Sequence, residues 1–128
     1  MNYRLKTSRN AKEKLLDLKS SLNITPNILS RYAIALALKQ SKLIIEDESF
    51  DSNGLEFRRD VLLGDYDPIF KGLFIQKYGS LSDDEYFPDL IKKHIEVGIN
   101  LLHSEYKYAG NKNKFIKTLL DDEYKLEE

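Results

Sequence analysis

Cysteine is absent from the 128 residues, and histidine occurs only as His94 and His103. Without sulfur the chain has no disulfide, no thiolate nucleophile and no thiolate-built zinc site. Net charge is nearly absent too. The 20 Lys and Arg stand against 21 Asp and Glu, so a total of -1 selects neither a nucleic acid nor an acidic ligand. No apolar run approaches the roughly 18 residues that cross a bilayer, and Met1 opens on a charged stretch instead of a signal-peptide core. A soluble, cytoplasmic protein with no membrane partner is the expectation. No glycine-rich phosphate loop, dinucleotide fingerprint or activated nucleophile is found, which argues against an independent catalyst. The length suits one domain around one core, and no repeat, low-complexity run or linker interrupts it.

What the chain does have is an uneven distribution of charge. Residues 1–42 carry nine basic groups (Arg4, Lys6, Arg9, Lys12, Lys14, Lys19, Arg31, Lys39, Lys42) against Glu13 and Asp17. Residues 43–67 reverse this, with eight acids against Arg58 and Arg59. Such asymmetry fits a basic binding face on a protein of pI 6.2. It equally fits a solvated exterior whose two halves pair within an oligomer.

Hydrophobic periodicity predicts a mainly α protein, a helical bundle with a short N-terminal strand. Residues 3–8 alternate, with Tyr3, Leu5 and Thr7 on one face and Arg4, Lys6 and Ser8 on the other. Asn10 with Glu13 reads as a capping-box start for a helix whose stripe is Ala11, Leu15, Leu18 and Leu22. Thr25 and Pro26 supply the cap and first residue of a second helix reaching about Lys39, apolar all round from Tyr32 to Leu38. Residues 46–54 read as an acidic surface loop, and 55–63 as either a short helix or an extended segment. Asp67-Pro68 starts a further helix with Ile69, Phe70, Leu73 and Phe74 as its apolar face and Gly79 as its stop. After Pro88 comes a long helix carrying Leu90, Ile91, Ile95, Ile99 and Leu102. Gly98 inside it costs about 1 kcal/mol against Ala unless close packing uses the gap. Residues 112–126 form a tail helix through Phe115, Ile116, Leu119 and Leu120.

Metal chemistry finds little support. An EF-hand-like alignment, Ser49-x-Asp51-x-Asn53-Gly54-x5-Asp60, has serine for the first ligand, Glu56 at the apolar eighth position and a short Asp60 at the end. The two histidines lie nine residues apart on one helix, half a rotation, and so face opposite ways. Carboxylates at Glu46 to Glu48 and Asp83 to Glu85 read as solvated loop acids and not as a magnesium pair, with no nuclease spacing. No metal and no cofactor are expected.

The N-terminus holds the more physical constellation. Arg4 and Lys6 on the strand, with Arg9 and Lys12 just beyond and Lys14 and Lys19 further along the helix, could meet phosphates. The helix start at Thr25 to Asn27 offers backbone N–H groups to an anion. Strand, helix, turn, helix is also the outline of a ribbon-helix-helix unit, in which two chains pair strands into a ribbon that enters the major groove.

The identities of these residues resemble the DndE family of bacterial DNA phosphorothioation systems. The resembling stretches are Arg4-Leu-Lys-Thr-Ser8, Leu22-Asn-Ile-Thr-Pro-Asn-Ile-Leu29 with Arg31, Gly54-Leu-Glu-Phe57 with Arg59, Leu63-Gly-Asp-Tyr-Asp67, and His94 with Gly98-Ile-Asn-Leu-Leu102. Together they cover roughly residues 3–104. Residues 1–110 would then form a single DndE-like domain, and residues 111–128 a C-terminal helical extension packed on or between subunits.

The resemblance implies a protein that acts with a cysteine desulfurase, an ATP-pyrophosphatase-like sulfur-transfer subunit and an ATPase to replace a non-bridging phosphate oxygen by sulfur. It implies a ribbon-helix-helix-related N-terminal half, a homotetramer, and binding of duplex DNA, nicked duplex above all, through surface lysines. No catalytic motif is carried over, and the lack of cysteine agrees, since a persulfide relay through this subunit is impossible. Lys6 lies within a resembling stretch, whereas Lys12, Lys14 and Lys19 rest on charge alone. The expected function is therefore a non-catalytic DNA-binding accessory subunit; the alternative is an interaction scaffold without DNA affinity of its own. The candidate contacts are Arg4, Lys6, Arg9, Lys12, Lys14, Lys19, Thr25 and Asn27. The reading requires the acidic segment to lie away from the basic face.

Overall fold

The structure, a computed structural model, describes residues 3–40 and 49–117. Lys42, the carboxylates Glu46 to Glu48 and the later part of the tail helix, with Leu119 and Leu120, lie outside the described residues. The protein is mainly α. Strand β1 (Arg4–Lys6) leads into α1 (Arg9–Leu22) and α2 (Pro26–Lys39). Strand β2 (Glu56–Arg58) and the short α3 (Arg59–Leu62) follow, then a 3-10 turn at Gly64–Tyr66 and α4 (Asp67–Tyr78). The single turn α5 (Asp83–Glu85) runs through a kinked segment, Tyr86–Leu90, with a cis Phe87-Pro88 bond, into α6 (Ile91–Ala109).

Alternation decides the first strand. Leu5 is buried and Arg4 and Lys6 are exposed, because β1 pairs antiparallel with β2 and sets Leu5 opposite the buried Phe57. Beyond Lys6 the pairing continues through Thr7 N–H to Leu55 O and Gly54 N–H to Thr7 O, both 2.8 Å. Gly54 is required there, since a Cβ would stand 2.2 Å from both Ser8 O and Thr7 Oγ1. The expected strand, helix, helix order is present. The second strand of the ribbon comes from the same chain, where the ribbon-helix-helix outline implies a second one. The open segment 55–63 resolves into both of its alternatives, strand for three residues and helix for the next four.

Helix α1 buries Ala11, Leu15, Leu18 and Leu22, the predicted stripe. Its cap differs from the expected one. Ser8, not Asn10, accepts from Ala11 N–H at 3.0 Å, while Glu13 pairs with Arg9 and Asn10 donates to Asn100 Oδ1. Asn23 ends the helix in the left-handed region at φ 57°. Helix α2 starts at Pro26 as expected, but Thr25 makes no side-chain cap.

Helix α6 runs against both α1 and α2. At Gly98 a Cβ would lie 1.8 Å from Ala33 O, so the glycine is what lets α6 touch the α2 backbone. Ile91, Ile95, Ile99 and Leu102 fill the core from α6 as predicted. Helix α4 departs from expectation: it buries Phe70 and Phe74 but leaves Ile69 (61%) and Leu73 (43%) exposed. Gly79 and Gly110 stop α4 and α6 at positive φ. Residues 112–117 are helical and fold Phe115 edge-on against Tyr106, 5.5 Å between ring centres. No helix among the described residues is long and apolar enough to cross a membrane.

Candidate nucleic-acid interface

The predicted contacts separate into three places. Arg4 and Lys6 stand together on the outward face of the ribbon, both exposed. Arg9 and Lys12, one turn apart at the start of α1, line a surface cleft of about 400 Å³ with Glu13 and Asn53. Lys19 lies exposed in the last turn of α1, roughly 15 Å beyond Arg9 by helix rise. At that end the loop leads to Thr25, exposed, and Asn27, half-buried, at the start of α2. Lys14 joins none of the three, because its ammonium turns onto Asn100 Oδ1 of α6.

Among the described residues the acidic segment divides: Asp51 and Glu56 lie at this face, which corrects the expectation for them, whereas Asp67 pairs with Arg59 and Asp65 lines a separate cleft with Arg31. Glu56 stands opposite Lys6 and holds Arg4 at 3.2 Å. Asp51 Oδ1 accepts from the backbone N–H of Arg9 at 2.9 Å and of Asn53 at 3.0 Å, bonds that keep its carboxyl below the usual range. The cause is connectivity, since β2 must pair with β1 and brings its flanking acids along. The cleft around Arg9 and Lys12 therefore balances two cations against Glu13 and Asp51. The outward face of the ribbon keeps Arg4, Lys6 and Arg58 against Glu56.

Arg58 is the residue that sequence reasoning missed. It sat in the acidic stretch, and only the register that sets it against Arg4 brings it to the basic face. The partial alternation of Leu55, Phe57 and Arg59 was its one local signal. The neighbouring Arg59 points the other way, into Asp67 and Asp83 at 2.8 Å each, with its guanidinium over the rings of Tyr86 and Phe87. This pairing pulls the Asp83 carboxyl down to about 2. Burial first, and then the bond to Asp67, pushes the Tyr86 hydroxyl well above its ordinary range.

The other candidates are occupied structurally. Lys92 Nζ binds Phe50 O at 3.5 Å, Asp51 O at 2.8 Å and Ser52 Oγ at 2.9 Å, and Asp51 Oδ1 is taken by backbone N–H groups, so hydrogen bonds to the protein itself hold the EF-hand-like loop. Glu85 belongs to a capping box with Ser82. His94 is buried between Leu90 O (2.8 Å) and the Tyr78 hydroxyl (2.7 Å), whereas His103 faces Asp17 at 2.7 Å, so the two do indeed point apart. Among the described residues no group of three or more His, Asp or Glu could hold a metal ion.

A second cleft, about 610 Å³, is lined by Arg31, Asp60, Gly64, Asp65, Tyr66 and Ile69. Arg31 is committed there to Leu62 O at 2.7 Å and Val61 O at 3.3 Å and lies over the Tyr66 ring. Tyr66 (51%) and Ile69 (61%) in its lining are exposed, as is Val61 (48%), whose carbonyl Arg31 holds, and Tyr32 (56%) is exposed elsewhere on α2.

The class of protein defined by this chain emerges from comparison with known families: residues 4–110 match the model of a DNA sulphur modification protein. The chain belongs to the DndE family. Its fold is similar to that of the crystal structure of DndE from Escherichia coli B7A, involved in DNA phosphorothioation modification. The TM-score is 0.64 and the identity 25%, over 77% of this chain and 96% of that one. A DndE mutant with glycine-to-lysine replacements, also involved in DNA phosphorothioation, shares the fold at TM-score 0.65 and 23% identity, over 79% of this chain and 97% of that chain. No curated protein matches the sequence. The family is part of a DNA sulfur modification system, and the expected membership holds.

Proposed function

We propose that the protein is a non-catalytic, DNA-binding accessory subunit of the phosphorothioation machinery. It contacts the phosphate backbone of duplex DNA in the cytoplasm, together with the other subunits of the sulfur modification system. The observation that carries this reading is the ribbon face, where Arg4, Lys6 and Arg58 stand outward in a protein whose family modifies DNA. Phosphate contacts of this kind position a protein without reading bases. A nick interrupts stacking and eases bending, so a rigid basic platform favours nicked over intact duplex. Assembly as a homotetramer multiplies the face. The exposed Tyr32, Val61, Tyr66 and Ile69 supply apolar surface of the kind that subunits cover. Residues 1–110 act as the domain, and 111–128 as an extension packed on or between subunits.

The same apolar surface favours a second reading, a scaffold that docks other subunits and has no DNA affinity of its own. Titration of the protein into intact and singly nicked duplexes across a salt series separates the two, with Lys6, Lys12 and Lys19 reversed to Glu in parallel. Binding that weakens steeply with salt, prefers the nick and is lost on charge reversal is the result expected. Absence of binding at low salt supports the scaffold.

A further inference from the structure

The ribbon sets two guanidinium groups against each other. In its register Arg4 is the direct partner of Arg58, Lys6 is the partner of Glu56, and Leu5 with Phe57 turns to the core. Like charges directly opposite on an antiparallel ribbon destabilise it, so folding gains nothing from this arrangement. Both arginine side chains are 62% exposed, and each is held by an exposed carboxylate, Glu56 at 3.2 Å and Asp60 at 2.7 Å. Exposed pairs of this type are worth about 0–1 kcal/mol and exchange readily for a better partner. A phosphodiester is such a partner, because the planar guanidinium fork matches its oxygens. Opposed Cα atoms on antiparallel strands lie about 4.5–5.5 Å apart, so both side chains start from one spot and reach the same stretch of a phosphate backbone.

We infer that Arg4 and Arg58, flanked by Lys6, form a two-stranded clamp on the phosphodiester backbone of duplex DNA. Arg58 is an additional DNA contact, and Glu56 is the built-in competitor that the phosphate displaces. The clamp rests on the DNA-binding reading above and locates it. The other basic sites carry the role less well. Arg9 and Lys12 share their cleft with Glu13 and lie beside Asp51, and Arg31 is spent on two backbone carbonyls.

The test titrates the full chain and its Arg58→Thr, Arg58→Lys and Glu56→Gln variants into a short fluorescent duplex over a salt series. Arg58→Thr is expected to weaken binding about tenfold at low salt and to flatten the plot of log K against log salt by about 0.9, one phosphate contact. Arg58→Lys keeps the slope, and Glu56→Gln tightens binding several-fold. Arg58→Thr should melt no lower than the parent, since it removes a like-charge opposition and places a hydroxyl before the first turn of α3. If Arg58→Thr does melt lower, Arg58→Gln, which removes the charge and keeps the length, decides: a slope flattened by about 0.9 supports the clamp and an unchanged slope overturns it. If the parent binds while Arg58→Thr matches it in affinity and slope, the clamp is wrong and the DNA-binding reading stands. If the parent does not bind at low salt, both fall.

Discussion

Glu96 on α6 reaches across to Ser8 and accepts two hydrogen bonds from that one residue, from its backbone N–H at 2.8 Å and from its hydroxyl. Both residues are buried, Glu96 at 1% exposure and Ser8 at 2%. The serine hydroxyl also accepts from Ala11 N–H, so the α1 cap and the α6 carboxyl depend on the same atom. The start of α1, where Arg9 leads the basic face, is fixed by a residue 88 positions away.

Ser8→Ala should therefore cost more than an ordinary lost cap. It removes the cap and half of the bonds to a buried carboxyl, about 2–4 kcal/mol in all. Glu96→Gln keeps an acceptor for the Ser8 N–H and should cost about 1 kcal/mol. Urea denaturation of the two variants checks the order. Stabilities equal to that of the parent would show that the clasp contributes nothing.

Two helical glycines give opposite outcomes on gaining a methyl group. Gly98→Ala drives Cβ into Ala33 backbone atoms that cannot turn aside, and should destabilise by about 3 kcal/mol or more. Gly72→Ala, in α4 with nothing within 4 Å of the added carbon, should stabilise by about 1 kcal/mol through helix propensity. Thermal melting of both variants makes the comparison directly.

Burial lowers the His94 imidazole to about 4, against its ordinary 6.5. The unfolded chain then binds a proton that the folded chain refuses. Stability is unaffected above pH 6.5, declines as pH falls from 6.5 towards 4, and is lower by about 3 kcal/mol below that. In His94→Phe this slope between pH 4 and 6.5 should vanish, even though the Leu90 carbonyl and the Tyr78 hydroxyl lose their partner. Denaturation midpoints measured across that interval decide the matter.

Arg59→Met should cost about 3 kcal/mol, because it leaves Asp67 and Asp83 without the guanidinium that both carboxylates share. The Asp83 carboxyl, now near 2, should return most of the way to 3.8. Acid titration followed by NMR would show it. Asp83 favours the fold above about 3.8, and that contribution fades as pH falls towards 2.

Much of this architecture is written in the local pattern. The stripe Ala11, Leu15, Leu18, Leu22 and the series Ile91, Ile95, Ile99, Leu102 announce α1 and α6 because a 3.6-residue period needs no distant partner to be recognised. The gap at Gly98 also had its stated use, contact with Ala33. Whatever depends on a partner far along the chain was hidden. Strand β2 is only three residues, and it exists because β1 lies beside it. Ser8 outcompetes Asn10 as the cap because Glu96 holds it in place. Lys14 reads as one more surface lysine until Asn100 takes it. Ile69 and Leu73 match the helical period of α4 as well as Phe70 and Phe74 do, and only the direction from which the core approaches separates them. The basic face was legible as composition, but its balance was not, since Asp51, Glu56 and Arg58 all reach it through one strand pairing.

That pairing has a consequence for concentration. A ribbon assembled from two polypeptides obeys mass action and comes apart when the protein is diluted. Here Arg4 meets Arg58 and Leu5 meets Phe57 within one polypeptide. The ribbon therefore forms whenever the chain folds, at any dilution, and a lone protomer already carries a finished copy. No second chain is needed to complete it, and dilution leaves the pair of strands intact.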